Sequence, residues 1–332
     1  MSINMPIVKL ANTTTFECKP DQTLLEAARV QGIALEHSCR TGRCGVCKAR
    51  VLSGTTSAKK AEESLSADDH SDGFILTCCR TAASDVELDI ADLGELGNIE
   101  TRTLPCRIAS IQRLSSNVIE IVLRTPPSSN LKYLPGQYIN VIGKNGLRRS
   151  YSIANAPRSD GLLSLQIREV VDGEMSRYWF HEAKINDLLR LEGPLGTFCL
   201  RESQASQLLL LATGTGIAPI KAILEQLVAS PEKNIYRRIH LYWGGRDEFD
   251  HYWVPDYPQL DLRYIPVRSR ARDFLGAKGY VQDAVISDCL DLTDAVVYAS
   301  GSESMIESAR TKLIANGLEE KNFHFDAFVS SN

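Results

Sequence analysis

Long apolar runs are absent from this chain of 332 residues. The longest plain run is Leu208 to Ala212, far shorter than the roughly 20 residues that cross a bilayer as a helix. The first residues, Met1 to Pro6, contain neither the charged nor the apolar part of a secretory signal. Nine cysteines without such a signal indicate a reducing compartment. We therefore expect a cytoplasmic protein with no membrane partner, in which Cys18, Cys79, Cys106, Cys199 and Cys289 are buried or spare thiols.

A strong net charge is also absent, since the formal charge at pH 7 is only −4. Residues 1–100 hold 10 lysines and arginines against 15 aspartates and glutamates, a net −5, so the remaining chain carries +1. This distribution excludes the basic surface of a nucleic-acid-binding protein. It fits docking to a basic patch on a redox partner, and it fits an ordinary solvated acidic surface equally well.

Histidine is scarce, with six in the chain, and none lies in a pattern typical of a metal site or a general acid–base pair. Internal repeats and low-complexity tracts are missing as well. Any metal binding or catalysis by this chain must therefore rely on residue types other than histidine. The length is typical of two or three domains.

Four cysteines carry the most informative pattern that is present. Cys39, Cys44 and Cys47, followed by Cys78, have the C-x4-C-x2-C…C spacing of plant-type [2Fe–2S] ferredoxins. Zinc sites favour two C-x2-C pairs, and only one is present. Cys79 is a rival for the fourth ligand. We prefer Cys78, because Leu76 to Cys78 gives the Leu-Thr-Cys that ends the ferredoxin pattern.

The order of the predicted strands and helices along the chain indicates three domains. We expect an α+β ferredoxin-like β-grasp domain over 1–93, a linker over 94–103, an antiparallel β-barrel over 104–202 and an α/β domain with a parallel sheet over 203–332. In the first domain we expect a short helix with Asp21 as N-cap and Gly32 at its end. Asn145-Gly146 predicts a tight hairpin in the barrel. The predicted strands of the second and third domains are 107–114, 118–123, 137–142, 149–153, 163–170, 208–212, 239–243, 262–267 and 295–299.

A flavin site is predicted on the barrel. Arg149 is suited to a phosphate, Tyr151 to the flat isoalloxazine ring and Ser152 to the flavin N5 that receives a hydride. An ordinary amphipathic strand is the alternative. A glycine turn about twenty residues later opens a helix that suits a diphosphate, which favours FAD over FMN. Its candidate residues are Gly173, Met175, Ser176 and, near the same phosphates, Arg168.

A nicotinamide site is predicted at the ends of the parallel strands, where open α/β sheets bind ligands. The turn after Ala212 follows a strand and opens a helix, but Pro219 replaces the third glycine of G-x-G-x-x-G, so a plain β–α turn is the alternative. Arg268, Ser269 and Arg270 are either 2′-phosphate ligands or surface residues. The other candidates are Thr213, Gly214, Thr215, Gly216, Pro219, Arg246, Ser300, Gly301 and Met305.

Two phenylalanines lie near the C-terminus. Phe328 is the candidate aromatic shield that covers a flavin face until the nicotinamide displaces it. Phe325 fits a last core strand at least as well.

The cluster loop, Arg149–Ser152, Gly173–Ser176 and the glycine turn occur in one order. This order resembles the ferredoxin–NAD(P)+ reductase-type flavoproteins with an N-terminal plant-type ferredoxin domain, a family that includes the reductases of bacterial oxygenases. The resemblance covers essentially the whole chain. It implies a [2Fe–2S] cluster, FAD, and NADH or NADPH, in an electron-transfer oxidoreductase. Nothing in the sequence indicates an obligate oligomer, so we expect a monomer.

A narrower resemblance lies in four stretches, 75–79, 84–89, 148–157 and 326–329. They are similar to the CDP-6-deoxy-3,4-glucoseen reductases, which supply electrons to the pyridoxamine-phosphate dehydrase of 3,6-dideoxy sugar synthesis for lipopolysaccharide O-antigens. This implies such a dehydrase as the electron-accepting partner. The alternatives are an oxygenase as partner, or a redox-sensing cluster protein with no enzymatic role. One departure is Ser300, where the family commonly has the cysteine of Cys-Gly, and a slower hydride transfer is the expected consequence.

The order of the cofactors follows from their chemistry. We expect NAD(P)H to give a hydride to FAD, and the two electrons to leave singly through the cluster to an external acceptor. Plant-type clusters lie near about −400 mV, so neighbouring groups must tune the cluster if NADH is to reduce it. The protein then contributes binding, orientation and electronic tuning.

Overall fold

The computed structural model describes residues 5–329, apart from 130, 144, 271–273 and the side chains of residues 95 and 233. The chain divides between Glu100 and Thr101 into two compact units. Among the described helices, none is both long enough and apolar enough to cross a membrane.

The first unit is built on a mixed five-stranded sheet with the strand order β2-β1-β7-β3-β5. Strands β1 and β7 pair in parallel, and the other neighbours are antiparallel. Strands β4 and β6 form a separate antiparallel pair. The elements of this unit are β1 (Ile7–Leu10), β2 (Thr15–Glu17), α1 (Leu24–Val30), β3 (Lys48–Ser53), β4 (Thr56–Ala58), α2 (Ala67–Ser71), β5 (Phe74–Leu76), β6 (Arg80–Ala82) and β7 (Val86–Leu88).

Helix α1 begins two residues later than predicted. Thr23, not Asp21, is the N-cap, because its hydroxyl accepts the Glu26 N–H while the Glu26 carboxylate accepts the Thr23 N–H. This reciprocal capping box satisfies two backbone donors at once, which a lone Asp21 would not do. Gly32 follows the helix with φ +76°, as predicted for its end. The helix buries Leu24, Leu25, Ala27 and Ala28 in the core of the unit.

The second unit begins with a six-stranded antiparallel sheet in the order β11-β10-β13-β8-β9-β12. A bridge between Ile153 and Leu165 joins the two edges, which closes the sheet into the predicted barrel. Asn145-Gly146 lies in the β10–β11 hairpin as expected, with Gly146 at φ +75°. The elements are β8 (Arg102–Ser115), β9 (Val118–Arg124), β10 (Tyr138–Ile142), β11 (Arg148–Ser152), β12 (Leu162–Arg168), α3 (Glu174–Arg177) and β13 (Leu188–Leu195).

Strand β13 was not predicted, although it lies between β10 and β8 in the sheet. Its sequence ends in Gly193-Pro194-Leu195, and a glycine followed by a proline ordinarily indicates a turn. The strand is nevertheless held on both sides, by β10 and by β8. Tertiary pairing therefore outweighs the local preference.

The rest of the second unit is a six-stranded parallel sheet in the order β17-β16-β15-β14-β18-β19. Strands β14 and β18 are central and almost wholly buried. Such a sheet gathers the carboxyl ends of its strands at one edge, which positions the site described below. The elements are β14 (Gln207–Thr213), α4 (Ile217–Ala229), β15 (Arg238–Gly245), β16 (Leu262–Arg268), β17 (Ala277–Lys278), α5 (Val281–Ser287), β18 (Ala295–Gly301), α6 (Glu303–Ala315) and β19 (Phe323–Ala327).

Candidate functional site

The four cysteines of the ferredoxin pattern lie in two pairs. Cys47 Sγ is 3.2 Å from Cys78 Sγ, and the Cys44 thiol hydrogen-bonds Cys39. Within the described residues, no three histidine, cysteine, aspartate or glutamate side chains converge on one point. A two-iron cluster bound by four cysteines takes two thiolates on each iron. The two pairs supply this donor set, so the residues present fit a [2Fe–2S] cluster.

The loop between the first three cysteines is wound tightly by its glycines. Gly42 has φ +85°, and a Cβ atom there would lie 2.2 Å from the carbonyl oxygen of Ala61. Only glycine fits this position without moving the backbone. The resulting turn aims the N–H groups of Thr41 and Cys44 at Cys39 Sγ, each at 3.4 Å. Such N–H···S bonds stabilise a thiolate and influence the potential of a cluster bound to it.

Cys79 is placed differently from Cys78. Its thiol donates to the carbonyl of Ala61 at 3.3 Å, on the side of the chain packed against Gly42. Its Sγ is 3.6 Å from Cys78 Sγ. Because Cys78 is the residue that approaches Cys47, the pairing favours Cys78 as the fourth ligand.

The pKa values of the paired cysteines also differ from that of Cys79. The hydrogen bond from Cys44 lowers the pKa of Cys39 to about 4, and the bond from Cys47 lowers the pKa of Cys78 to about 7. The same bonds raise the pKa values of their donors. Burial raises the pKa of Cys79 to about 12, so it remains a thiol at neutral pH. Within each pair, the hydrogen bond thus favours the thiolate form of the accepting cysteine, which is the form that binds iron.

Strand β11 carries the three residues predicted for the flavin. Arg149 is half-buried, and its guanidinium donates to the Arg148 carbonyl, which leaves most of its donors available. Ser152 is 8% exposed, and its hydroxyl has no hydrogen-bond partner in the part of the chain that the structure describes. Ser150, two residues earlier, instead donates to Asn140 at 2.8 Å. An open guanidinium and an open hydroxyl on one short strand fit a phosphorylated flavin.

Tyr151 is tied to the helical segment that follows the glycine turn. Its phenol oxygen accepts the indole N–H of Trp179 at 2.8 Å, and burial raises the pKa of the phenol to about 12. Tyr151 is therefore a neutral hydrogen-bonding group at all working pH values.

The turn at Gly173 opens only the short helix α3, which continues as one wide turn over Tyr178–Glu182. The Ser176 hydroxyl accepts the N–H of Val170 at 2.8 Å, which closes the loop before the helix. Met175 is buried, with its sulfur against Gly143 of the β10–β11 hairpin. Met175 and Ser176 therefore shape this loop, and neither side chain projects freely into solvent.

The glycine turn after β14 forms a close-packed cradle. Gly214 has φ +54°, and its carbonyl accepts the indole N–H of Trp243 at 3.0 Å. A Cβ atom on Gly216 would lie 2.2 Å from the carbonyl oxygen of Ser300, and one on Gly301 would lie 2.1 Å from Thr213 Oγ1. Both glycines are therefore required where β14 and β18 end side by side. A dinucleotide pyrophosphate approaches the backbone closely at such a turn.

A cavity of about 790 Å³ opens above this cradle. It brings together six of the predicted nucleotide residues with the predicted shield Phe328. Gly216, Pro219, Ser300 and Gly301 are not among the lining residues. Ser300 is fully buried, and its Oγ makes no hydrogen bond to any residue in the described ranges. The residues that line the cavity include Arg168, Thr213, Gly214, Thr215, Arg246, Ser269, Tyr280, Gln282, Met305 and Phe328.

Arg168 lies in this cavity. Its guanidinium sits 3.3 Å from where a Cβ of Gly214 would be, and it pairs with Asp250 Oδ1 at 2.7 Å. Its Nε is buried without a partner among the described atoms. Asp250 also accepts the backbone N–H of Arg246 at 2.7 Å. A strand of the flavin barrel thus places a cation against the nucleotide turn, where the sequence had suggested only the flavin phosphates.

The three residues suggested for a 2′-phosphate are partly engaged by the protein itself. Arg268 stacks on the ring of Phe274 at 4.0 Å and approaches Glu248 at 3.7 Å. Ser269 lines the cavity, and its hydroxyl donates to the Gly245 carbonyl at 3.3 Å.

Four residues at these sites were not predicted from the sequence: Trp179, Trp243, Asp250 and Gln282. Trp179 and Trp243 donate hydrogen bonds to the flavin strand and to the glycine turn. Gln282 is 4% exposed and lines the cavity. Its Oε1 has no partner among the described residues, which fits a ligand with a donor group. The available signal was the scarcity of tryptophan, since two of only three lie at predicted motifs.

Comparison with protein families gives three adjoining matches. Residues 8–83 match the 2Fe-2S iron-sulfur cluster binding domain, 105–199 the oxidoreductase FAD-binding domain and 210–311 the oxidoreductase NAD-binding domain. The three matches cover the cluster loop, the flavin strand and the nucleotide cradle in turn.

Individual proteins resemble the chain over nearly its whole length. CDP-6-deoxy-L-threo-D-glycero-4-hexulose-3-dehydrase reductase of Yersinia pestis is 43% identical over 95% of this chain and 96% of its own length. Reductase component 1 of terephthalate 1,2-dioxygenase from Comamonas sp is 32% identical over 95% of each chain. Among solved structures, the Amycolatopsis cytochrome P450 reductase GcoB superposes with a TM-score of 0.75 at 26% identity, over 97% of this chain and 98% of that one.

Proposed function

Because the chain belongs to the family of electron-transfer reductases that join a [2Fe–2S] domain to FAD- and NAD-binding domains, we propose that it delivers electrons from a nicotinamide to a sugar dehydrase. The observation that carries this is the identity of 43% over 95% of the chain to a hexulose-dehydrase reductase. The domain bounds that we propose are 1–93, 104–202 and 203–332.

When bound, FAD accepts a hydride from NAD(P)H and the cluster carries single electrons onward. The chain's own residues bind and orient these groups. Cys39, Cys44, Cys47 and Cys78 hold the cluster. Arg149 would bind a flavin phosphate, and the Ser152 hydroxyl would donate to the flavin N5, because Ser152 is buried and its hydroxyl has no partner among the described residues. These roles are the hypothesis that the predictions below test.

We assign each candidate nucleotide-binding residue to one part of the bound nucleotide. The Gly214 turn receives the pyrophosphate, with Thr213, Thr215 and Gly216 shaping its path. Arg246 would bind the adenosine half, and Gly301 and Met305 would lie near the nicotinamide. Phe328 donates its backbone N–H to the Gly301 carbonyl at 2.8 Å, and its ring would shield the flavin when no nicotinamide is bound.

The proposed electron acceptor is a pyridoxamine-phosphate dehydrase of 3,6-dideoxy sugar synthesis. The competing acceptor is an oxygenase, since an oxygenase reductase is also 32% identical over the same length. The higher identity to the dehydrase reductase favours the first partner.

An anaerobic titration of the purified holoprotein tests the electron path. NADH is added stepwise while flavin absorbance and the electron paramagnetic resonance spectrum are recorded. We expect the flavin band to bleach and a rhombic signal of the reduced cluster to appear. Adding a dehydrase with its sugar substrate should then reoxidise both centres, whereas reoxidation only by an oxygenase component would refute the proposed partner. A protein that binds no flavin would overturn the reductase function itself.

Replacing Arg168 with alanine is expected to raise the KM for NADH about tenfold while kcat changes less than about twofold. A charge-assisted hydrogen bond to a phosphate contributes about 1.5–3 kcal/mol, and binding that is equal in ground and transition states affects KM alone. Steady-state kinetics with an artificial electron acceptor provides the measurement. Arg124→Ala, at the exposed end of the neighbouring strand β9, is the matched control.

A second variant separates direct binding from a structural role of Arg168. If Arg168 only neutralises Asp250, Arg168→Ala combined with Asp250→Asn should restore the wild-type KM. If Arg168 binds the pyrophosphate, the double variant should keep a raised KM.

A further inference from the structure

Trp179 makes a specific contact with the flavin strand. It is 2% exposed, and its indole Nε1–H donates to the phenol oxygen of Tyr151 at 2.8 Å. The two rings meet edge to face, with centroids 6.0 Å apart and an angle of 82° between their planes. An edge-to-face pair with a hydrogen bond fixes both the position and the plane of the phenol ring.

The segment that holds Trp179 is itself anchored. Trp179 comes three residues after Ser176, in the wide turn that continues helix α3. The neighbouring ring of Tyr178 lies 5.0 Å from it, and the Tyr178 hydroxyl donates to Asp187 Oδ2 at 2.9 Å. Trp179 therefore connects the Gly173–Ser176 loop to strand β11, the two pieces of the proposed flavin site.

We infer that Trp179 is a positioning residue for the flavin, which acts by holding the Tyr151 ring in the plane that receives the isoalloxazine. The inference deepens the proposed flavin site and rests on it. Because the phenol oxygen accepts from Trp179, its own hydrogen remains available to donate to the bound cofactor. Trp179 touches no reacting atom and acts only through Tyr151.

A purely structural tryptophan would behave differently. If Trp179 only fills space in the core, Trp179→Phe should lower the melting temperature and leave the affinity of the folded protein for FAD unchanged. A positioning role predicts weaker FAD binding, an altered visible flavin spectrum, and dependence of both on the Tyr151 hydroxyl.

The test is a double-mutant cycle with Trp179→Phe, Tyr151→Phe and the combination, each titrated as apoprotein with FAD and followed by flavin fluorescence and visible absorbance. We expect Trp179→Phe to weaken FAD binding about fivefold, the typical effect of one neutral hydrogen bond. In the Tyr151→Phe background, the same change should weaken binding less than about twofold, because the phenol oxygen is already gone. Trp253→Phe, a partly buried tryptophan outside this site, is the matched control.

Two outcomes would overturn the inference. Equal effects of Trp179→Phe in both backgrounds would mean that the indole acts by packing alone, and an unchanged FAD affinity would remove the positioning role. Arg149→Ala distinguishes either result from a failure of the flavin site itself. If Arg149→Ala weakens FAD binding while Trp179→Phe does not, the site stands and only the role of Trp179 is wrong. If neither changes binding, FAD lies elsewhere.

Discussion

Replacing Cys78 with alanine is expected to abolish electron delivery to a protein acceptor while leaving the reaction of NADH with the flavin intact. The change removes one of the two thiolates on one iron, and a methyl group offers no ligand in its place. We expect the cluster absorbance and the paramagnetic signal to disappear. The rate at which the acceptor protein is reduced should fall more than about 100-fold, because an increase of about 3 kcal/mol in the activation free energy already gives that factor. Ferricyanide, which takes electrons directly from flavins, should be reduced at a rate within about twofold of the wild type.

Cys79→Ala is the matched control, because it removes a neighbouring thiol whose hydrogen bond is to the Ala61 carbonyl. This variant should keep its cluster and its acceptor activity. The opposite pattern, with the cluster retained in Cys78→Ala and lost in Cys79→Ala, would assign the fourth ligand to Cys79. Loss in both variants would show that the adjacent thiols are jointly required.

The sequence was most informative where chemistry demands a fixed spacing. The four cysteines, the Arg149–Ser152 strand and the glycine turn after β14 could each be located because ligand geometry restricts both residue type and separation. The alternation of apolar residues likewise located most strands of the barrel and of the parallel sheet. Strand β13 was not predicted, because the local preference of its Gly193-Pro194 is for a turn. Its pairing with β10 and β8 depends on the whole sheet and cannot be read from the local sequence.

Residues that act across the fold could not be assigned in the same way. Arg168 lies at the end of a barrel strand, but its ion pair with Asp250 spans 82 positions of the chain. Trp243 reaches Gly214 across 29 positions. No local pattern encodes such contacts. The ion pair depends on how the barrel packs against the parallel-sheet domain within the second unit, and the Trp243 contact depends on the pairing of β14 with β15. Ser300 is a further case, since its buried Oγ has no partner within the described ranges. The sequence indicated a contact with the nicotinamide, but not that Ser300 lies outside the cavity lining.

Replacing Ser152 with alanine is expected to slow hydride transfer from NADH to the flavin by about 100-fold, with FAD binding changed only a few fold. One buried donor aimed at the atom where charge develops typically contributes about 10²–10³ in rate, because it is already oriented when the reaction begins. Ser152 meets the structural conditions, since it is 8% exposed and its hydroxyl has no partner among the described residues. Stopped-flow absorbance with NADH, compared with NADH deuterated at the transferred position, measures the step directly.

Ser150→Ala provides the matched control on the same strand, because the Ser150 hydroxyl is already engaged by Asn140. It should leave the rate of flavin reduction within about twofold of the wild type, the range expected for surface substitutions away from a site. A larger isotope effect in Ser152→Ala would follow if hydride transfer becomes more fully rate-limiting there. If both serine variants reduce flavin at the wild-type rate, the donor to the flavin N5 is not Ser152. Strand β11 would then serve the flavin through Arg149 and Tyr151 alone.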